Sequence, residues 1–135
     1  MLKRIFKFLL PILFITPILF WNGCDDTLTS SDIDSRIIPE KNVSYSKDLA
    51  PVFELKCVSC HSPGNSEGGL DLSNWTGIVS PGLVIPGDDD ASPLIWYIEQ
   101  QPGFEMPPRD APIKPFTPDQ IRGVKTWINE GALNN

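Results

Sequence analysis

The feature that most constrains this chain is the run Cys57-Val58-Ser59-Cys60-His61. Two thiols three positions apart, followed directly by an imidazole, form the attachment pattern of a c-type haem. Each sulfur bonds to one haem vinyl group, and the imidazole ligates the iron. On a helical turn Cys57, Cys60 and His61 share one face. The pattern predicts one covalently bound haem c, with bonds from Cys57 and Cys60 and with His61 as an axial ligand.

A Cys-x-x-Cys pair also occurs in zinc sites and in redox-active dithiols, and both are alternatives. Zinc takes about four ligands, normally from a second pair, and the 135-residue sequence has one His and a single further cysteine, Cys24. A thioredoxin-type dithiol opens a helix after a buried strand. No strand-like pattern precedes Cys57, so haem is the favoured interpretation.

The second axial ligand follows by elimination. The sequence has no other His for the position opposite His61, and Met1 would be removed with a leader, which leaves Met106. The alternative is that this single Met fills the core. Ligation by His61 and Met106 favours a high reduction potential and leaves no open position on the iron. It therefore indicates electron transfer rather than catalysis.

Residues 1–23 are predicted to be a signal peptide of the lipoprotein type. A basic cluster precedes an apolar run over 8–21 that contains two prolines and is shorter than the ~20 residues needed to span a bilayer. Gly23-Cys24 resembles a bacterial lipoprotein processing site, at which the cysteine is lipid-modified. Export to the periplasmic or cell-envelope face of a membrane, with a lipid anchor on Cys24, is expected. An uncleaved anchor and a soluble periplasmic form are the alternatives.

The charge balance argues against nucleic acid as a partner. The formal net charge is −6, but three of the 11 basic residues lie in the leader and all 17 acidic residues follow it, so the remainder carries −9. This acidity is typical of a solvated surface, with a dedicated docking patch as the alternative. The expected partners are redox proteins, a donor and an acceptor.

Residues 24–43 are predicted to be a flexible polar tether, and residues 44–135 a single domain. The tether is rich in Ser and Asp and shows no apolar periodicity before Ile37-Ile38. Within it, Thr27 to about Asn42 would form a flexible coil of about 16–18 residues that reaches about 20–25 Å.

Three helices are predicted within the domain. Apolar residues at helical spacing between Leu49 and Cys60 indicate a first helix starting near Asp48. A second helix, with Ser92 as its N-cap and Pro93 as its first residue, runs to about Gln100. The last begins with a capping box formed by Thr117 and Gln120 and ends at Gly131. Gly123 within it destabilises the helix by about 1 kcal/mol relative to Ala. The glycine either allows close approach to another helix or lies on the solvent side, where the residue type matters little.

The loop over residues 62–90 is rich in Pro and Gly, with apolar residues at intervals. They line a haem pocket or simply fill the core. These residues are Leu70, Leu72, Trp75, Ile78, Leu83, Val84 and Ile85.

Several stretches together resemble the class I cytochromes c, specifically small bacterial domains of that family. They span about 90 residues in the family's order: residues 48–61, Gly68–Leu72, Ile85–Asp88, Ser92–Ile95, Met106–Pro108 and 117–132. The resemblance implies an all-α cytochrome c fold, with three to four short helices and ordered loops around one covalent haem. Leu49 departs from the family's usual small residue eight positions before the first cysteine.

The resemblance also implies roles for individual residues. The first and last helices would cross, with Phe53 and Trp127 as the aromatic residues of that crossing. Cys57 and Cys60 would hold the haem, with His61 and Met106 as the axial ligands. Arg109 and Trp75 are candidate donors to the haem propionates.

The expected function is that of a membrane-tethered monohaem carrier of single electrons between respiratory partners outside the cytoplasm, not an enzyme. One alternative is an electron-entry subunit of a larger oxidoreductase. Another is a haem peroxidase, but the related two-haem peroxidases need a second Cys-x-x-Cys-His, which this sequence lacks.

Overall fold

A computed structural model describes residues 28–80 and 82–135, so the predicted signal peptide and Cys24 lie outside the described residues. The described chain is helix-rich. Its elements are α1 (Ser30–Asp34), α2 (residues 45–58), the antiparallel strands β1 (His61–Ser62) and β2 (Asn65–Ser66), a 3₁₀ turn (Glu67–Gly69), α3 (Trp75–Val79), α4 (Pro93–Ile98) and α5 (Pro118–Asn129).

This architecture is compatible with a cytochrome c fold. The expectation of an all-α chain with three to four helices was too strict, because the loop after Cys60 folds into a short hairpin and five helices are present among the described residues. Within the described ranges, no helix combines the length and apolar composition that a bilayer crossing requires.

Helix α2 begins earlier than the sequence predicts. It consists of a π-helical turn (Tyr45–Leu49), an α-helical turn (Ala50–Phe53) and a second π-helical turn (Glu54–Val58). Pro51 has no N–H, so it cannot bond the Lys47 carbonyl as a normal helical residue would. The Arg36 guanidinium donates to that oxygen instead. The predicted start near Asp48 was therefore wrong, because the helix begins with a π-helical turn that is capped by Ser44 and precedes the proline.

The N-terminal segment, residues 29–43, packs onto the domain. Helix α1 opens with a capping box between Thr29 and Asp32. Ile33, Ile38 and Val43 are each 1% exposed and belong to the hydrophobic core. The predicted flexible tether over 24–43 was therefore wrong for residues 29–43. These three side chains recur every five residues, a spacing that matches neither a helix nor a strand.

Helix α5 supplies polar partners for this segment. The buried Gln120 side chain donates from Nε2 to the Ile33 carbonyl (2.9 Å), and the Ile38 N–H donates to Asp119 Oδ2 (2.8 Å). The pKa of Asp119 lies below its ordinary value because of that Ile38 hydrogen bond first and the Arg122 side chain second. The segment is thus held by hydrogen bonds as well as by apolar burial.

The first and last long helices pack through an aromatic cluster. The Tyr45 ring lies 5.8 Å from Trp127 and 6.4 Å from Phe53, measured between centroids, so it separates the two residues expected at the crossing. Trp127 is fully buried, and its indole N–H donates to the Leu133 carbonyl (2.8 Å).

The ends of α5 follow the sequence prediction. Thr117 and Gln120 form the capping box, and Gly131 has a φ of +99° just beyond the C-terminus. Gly123 does make a close approach, but to the N-terminal segment rather than to a helix. A Cβ added there would lie 2.4 Å from Ile38 Cγ2.

The start of α4 is as predicted, but its cap is not. Pro93 is the first helical residue and Ser92 precedes it, yet the Ser92 hydroxyl bonds no helical N–H. It donates to the Asp88 carbonyl (2.7 Å) and accepts from the Ile85 N–H (2.8 Å). Ser92 therefore closes the preceding turn.

The contact between Gly123 and Ile38 gives a stability test. Gly123→Ala should destabilise the wild-type domain by about 1–2 kcal/mol, because overpacking against Ile38 exceeds the gain of about 1 kcal/mol in helix propensity. In an Ile38→Ala background the same change should be neutral or stabilising. Denaturant titrations of the four proteins measure the free energies of unfolding. If Gly123→Ala stabilises both backgrounds equally, the N-terminal segment does not pack on α5.

Candidate functional site

A cavity of about 330 Å³ lies between the C-terminal end of α2, helix α4 and residues 106–116. Its volume falls in the range of roughly 300–1,000 Å³ found for pockets that bind small molecules and cofactors. The predicted haem-binding residues Cys57, Cys60, His61 and Met106 all line it. The other lining side chains are mainly apolar and include Leu70, Leu72, Leu83, Leu94, Ile98 and Ile113.

The loop over 62–90 therefore contributes only part of the wall that the sequence suggested. Leu70, Leu72 and Leu83 line the cavity. The remaining four apolar residues do not: Ile78 and Val84 are buried in the core, Trp75 packs against it, and Ile85 is exposed.

Cys57 and Cys60 are free, half-buried thiols at the end of α2. The Cys60 N–H donates to the Cys57 carbonyl (3.1 Å), so a single turn carries both sulfurs. Burial raises the pKa of the Cys57 thiol to about 12, and the positive charge of Lys56 opposes the shift without cancelling it. A redox-active dithiol attacks as the thiolate, so a thiol held protonated by burial does not suit that role.

A zinc site would lack ligands among the described residues. Across residues 28–80 and 82–135, no three His, Cys, Asp or Glu side chains are grouped so as to hold a metal ion. A structural zinc ion normally has four protein ligands. The described residues therefore provide no support for the zinc alternative.

The orientation of His61 is set by a hydrogen bond of 2.9 Å between its Nδ1 and the Glu67 carbonyl oxygen. Since a carbonyl only accepts, Nδ1 carries the proton and Nε2 keeps its lone pair. The hairpin places Glu67, whose N–H donates to the Cys60 carbonyl (3.1 Å), and the Leu72 N–H bonds the His61 carbonyl (2.8 Å). Metal-ligating histidines use this arrangement, with one nitrogen bonded to the protein and the other free for the metal.

The end of α4 holds the segment that contains Met106. The Met106 N–H donates to the Tyr97 carbonyl (3.1 Å), and the Gln100 side-chain amide donates to the Pro107 carbonyl (3.0 Å). Gln100 has a φ of +58°, so α4 ends at Ile98 rather than at Gln100 as the sequence suggested. Two hydrogen bonds from one helix end thus fix the backbone on either side of the Met106 side chain.

The chemistry of these four residues fits a covalently bound haem. Two thiols, an imidazole with a free Nε2 and a thioether meet in a largely apolar cavity, and each is held by an ordered turn or helix end. Thioethers and imidazoles are the axial ligands of low-spin c-type haem.

The two candidate propionate donors are engaged elsewhere. The single N–H of the Trp75 indole donates to the Ala132 carbonyl (2.9 Å). The exposed Arg109 side chain lies 3.7 Å from Glu105. Neither residue lines the cavity, so the structure does not support either assignment.

Sequence reasoning missed Lys56, a buried charge in the cavity wall. The residue is 4% exposed, and its Nζ donates to Asp34 Oδ1 (2.8 Å), the Lys114 carbonyl (3.1 Å) and the Pro115 carbonyl (3.0 Å). It also lies 5.7 Å from the centroid of the Phe116 ring. These partners are 22 to 60 positions away in the sequence, so no local pattern indicates them.

A family model described as Planctomycete cytochrome C (PSCyt1) matches residues 57–110. The matched stretch begins at the first cysteine of the Cys-x-x-Cys-His run and includes Met106. It supports a cytochrome c-like domain, covalent haem c and electron transfer. No curated protein and no solved structure matches the chain.

The hydrogen bond from Gln100 gives a local test. In the haem-loaded domain, Gln100→Ala should raise the hydrogen-exchange rate of the Met106 amide about fivefold, because losing about 1 kcal/mol makes local opening more frequent. Gln101→Ala is the matched control, since that side chain bonds only the exposed Glu99 carboxylate (3.3 Å) and should leave the rate unchanged. Equal rates in all three proteins would show that Gln100 does not hold the segment.

Proposed function

We propose that this protein is a monohaem c-type cytochrome that carries single electrons between respiratory partner proteins outside the cytoplasm, tethered to a membrane by a lipid on Cys24. The observation that carries the proposal is that Cys57, Cys60, His61 and Met106 line the same apolar cavity. The family match over residues 57–110 supports the haem and the electron-transfer class.

Haem bound in this cavity supplies a one-electron iron couple. Cys57 and Cys60 would hold the macrocycle through thioether bonds, each of which would form by adding S–H across a vinyl group. His61 presents Nε2 because Glu67 fixes the proton on Nδ1. Leucine and isoleucine side chains make the walls largely apolar, and low polarity around a haem is one of the means by which a protein sets its reduction potential.

Met106 decides between electron transfer and catalysis. If the Met106 thioether were the second ligand to the iron, no position would be left for a substrate or for peroxide, and the coordination would change little on reduction. Both properties favour transfer of an electron to a docked partner. Met106 is 37% exposed as a residue, so this wall of the cavity lies near the surface that a partner would approach.

Met106→Ala tests this assignment. The variant should keep its covalent haem but lose the far-red iron–sulfur band of the oxidised protein. Its reduction potential should fall by more than about 60 mV, a tenfold change for one electron, because a thioether ligand raises the potential. Optical spectra and a potentiometric titration measure both effects.

Ile113→Ala is the control for that experiment, because it also truncates an apolar side chain in the wall but removes no ligand. The band should persist in this variant. An unchanged far-red band in Met106→Ala would reject Met106 as the ligand.

The folded N-terminal segment changes how a lipid anchor would act. Because α1 and its cap begin at Thr29, only the five positions from Cys24 to Thr29 would separate a lipid from the folded segment. At about 3.3–3.6 Å per residue this stretch reaches no more than about 18 Å. We propose that an anchored domain stays beside the bilayer and meets partners there, rather than searching at the end of a longer tether.

Cys24→Ser tests the anchor. The variant should move from the membrane fraction to the soluble fraction of the cell envelope, because a lipid chain contributes about 0.8 kcal/mol of membrane affinity for each buried CH₂ group. Fractionation and the intact mass of the mature chain measure this. Continued membrane retention of the variant would argue against lipidation and for an uncleaved anchor.

A further inference from the structure

Lys56 lines the cavity, and its buried ammonium lies 5.7 Å from the ring centroid of Phe116, another lining residue. The N-terminal segment supplies its counter-charge. The Lys56 side chain is 1% exposed and lies 2.8 Å from Asp34, whose side chain is 17% exposed. The other two acceptors are the backbone carbonyls of Lys114 and Pro115. All three N–H donors of the ammonium are therefore satisfied, and the Asp34 carboxylate is the one anionic group among the acceptors.

A buried charge interacts strongly with other charges because little water screens it. Lys56 lines the same cavity as Cys57, Cys60 and His61 and directly precedes the first cysteine. An uncompensated ammonium at this position would favour the reduced form of a haem there, which carries one positive charge fewer. Asp34 cancels most of that field.

We propose that the N-terminal segment tunes the reduction potential of the haem, by neutralising Lys56 in the cavity wall through Asp34. This inference rests on the proposed function. In the step concerned, the donor protein loses one electron and the haem iron gains it, with no bond made or broken. Asp34 therefore acts as a positioning and charge-compensating residue, without touching the haem.

Lys114 provides a control within the same cluster. Its Nζ lies 3.9 Å from Asp34 Oδ2, but its side chain is 75% exposed. Solvent and salt screen an exposed charge of this kind, so it should have little effect on the iron. Lys56 and Lys114 thus share one carboxylate and differ in burial.

The test measures the haem reduction potential of the full-length protein and four variants by potentiometric titration at fixed pH and salt. Asp34→Asn retains an oxygen that accepts from Lys56 but removes the charge. It should increase the ratio of reduced to oxidised haem, measured at a fixed potential, at least threefold. At 59 mV per tenfold change, the reduction potential rises by at least about 28 mV. Lys56→Met should lower that ratio at least threefold. The double variant should have a ratio of reduced to oxidised haem within twofold of the wild-type ratio. The ratio in Lys114→Gln should also stay within twofold of wild type.

The inference is overturned if haem is attached and Asp34→Asn leaves the potential within twofold of wild type, or if Lys114→Gln shifts it as far as Lys56→Met does. Should Lys56→Met fail to fold with Asp34 left unpaired, the comparison of Asp34→Asn with Lys114→Gln decides alone. In either case the proposed electron carrier stands. Failure of the wild-type protein to bind haem would overturn both.

Discussion

The site depends on one constraint: two thiols and an imidazole at the end of α2 must share an apolar cavity with a thioether about fifty residues later. The two thiols and the imidazole are brought together locally, because Cys57 and Cys60 lie on one turn and a hairpin places the Glu67 carbonyl beside Nδ1 of His61. Met106 is positioned by α4, whose last turn accepts a hydrogen bond from the Met106 backbone N–H. In both places, hydrogen bonds to backbone groups position a functional residue.

The N-terminal segment contacts both helix α5 and the wall of the cavity. Through Ile38 it fills the space that Gly123 leaves on α5, and through Asp34 it reaches the ammonium of Lys56 in the cavity wall. Arg36 bonds the Lys47 carbonyl that Pro51 leaves without its usual donor. A stretch that is polar by composition thus completes the core, the irregular helix and the charge balance of the site.

Sequence reasoning found what depends on local chemistry. The capping box of α5, the positive φ at Gly131 and the meeting of the Cys57–His61 run with Met106 follow from short motifs and from elimination. It missed what depends on contacts between distant residues: the burial of Ile33, Ile38 and Val43 at a five-residue spacing, and the pairing of Lys56 with Asp34. Composition described residues 24–43 correctly as polar. It could not show that α5 provides hydrogen-bond partners for Ile33 and Ile38.

The most direct test of the central claim is whether haem is bonded to this polypeptide. The protein is produced with a c-type maturation system, denatured, and extracted with acidified organic solvent, and the intact mass of the chain is then measured. The account predicts that the pigment stays with the protein, that the mass increases by one haem, and that replacing both Cys57 and Cys60 by Ala abolishes the increase. A colourless protein, or pigment that passes into the solvent, would contradict it.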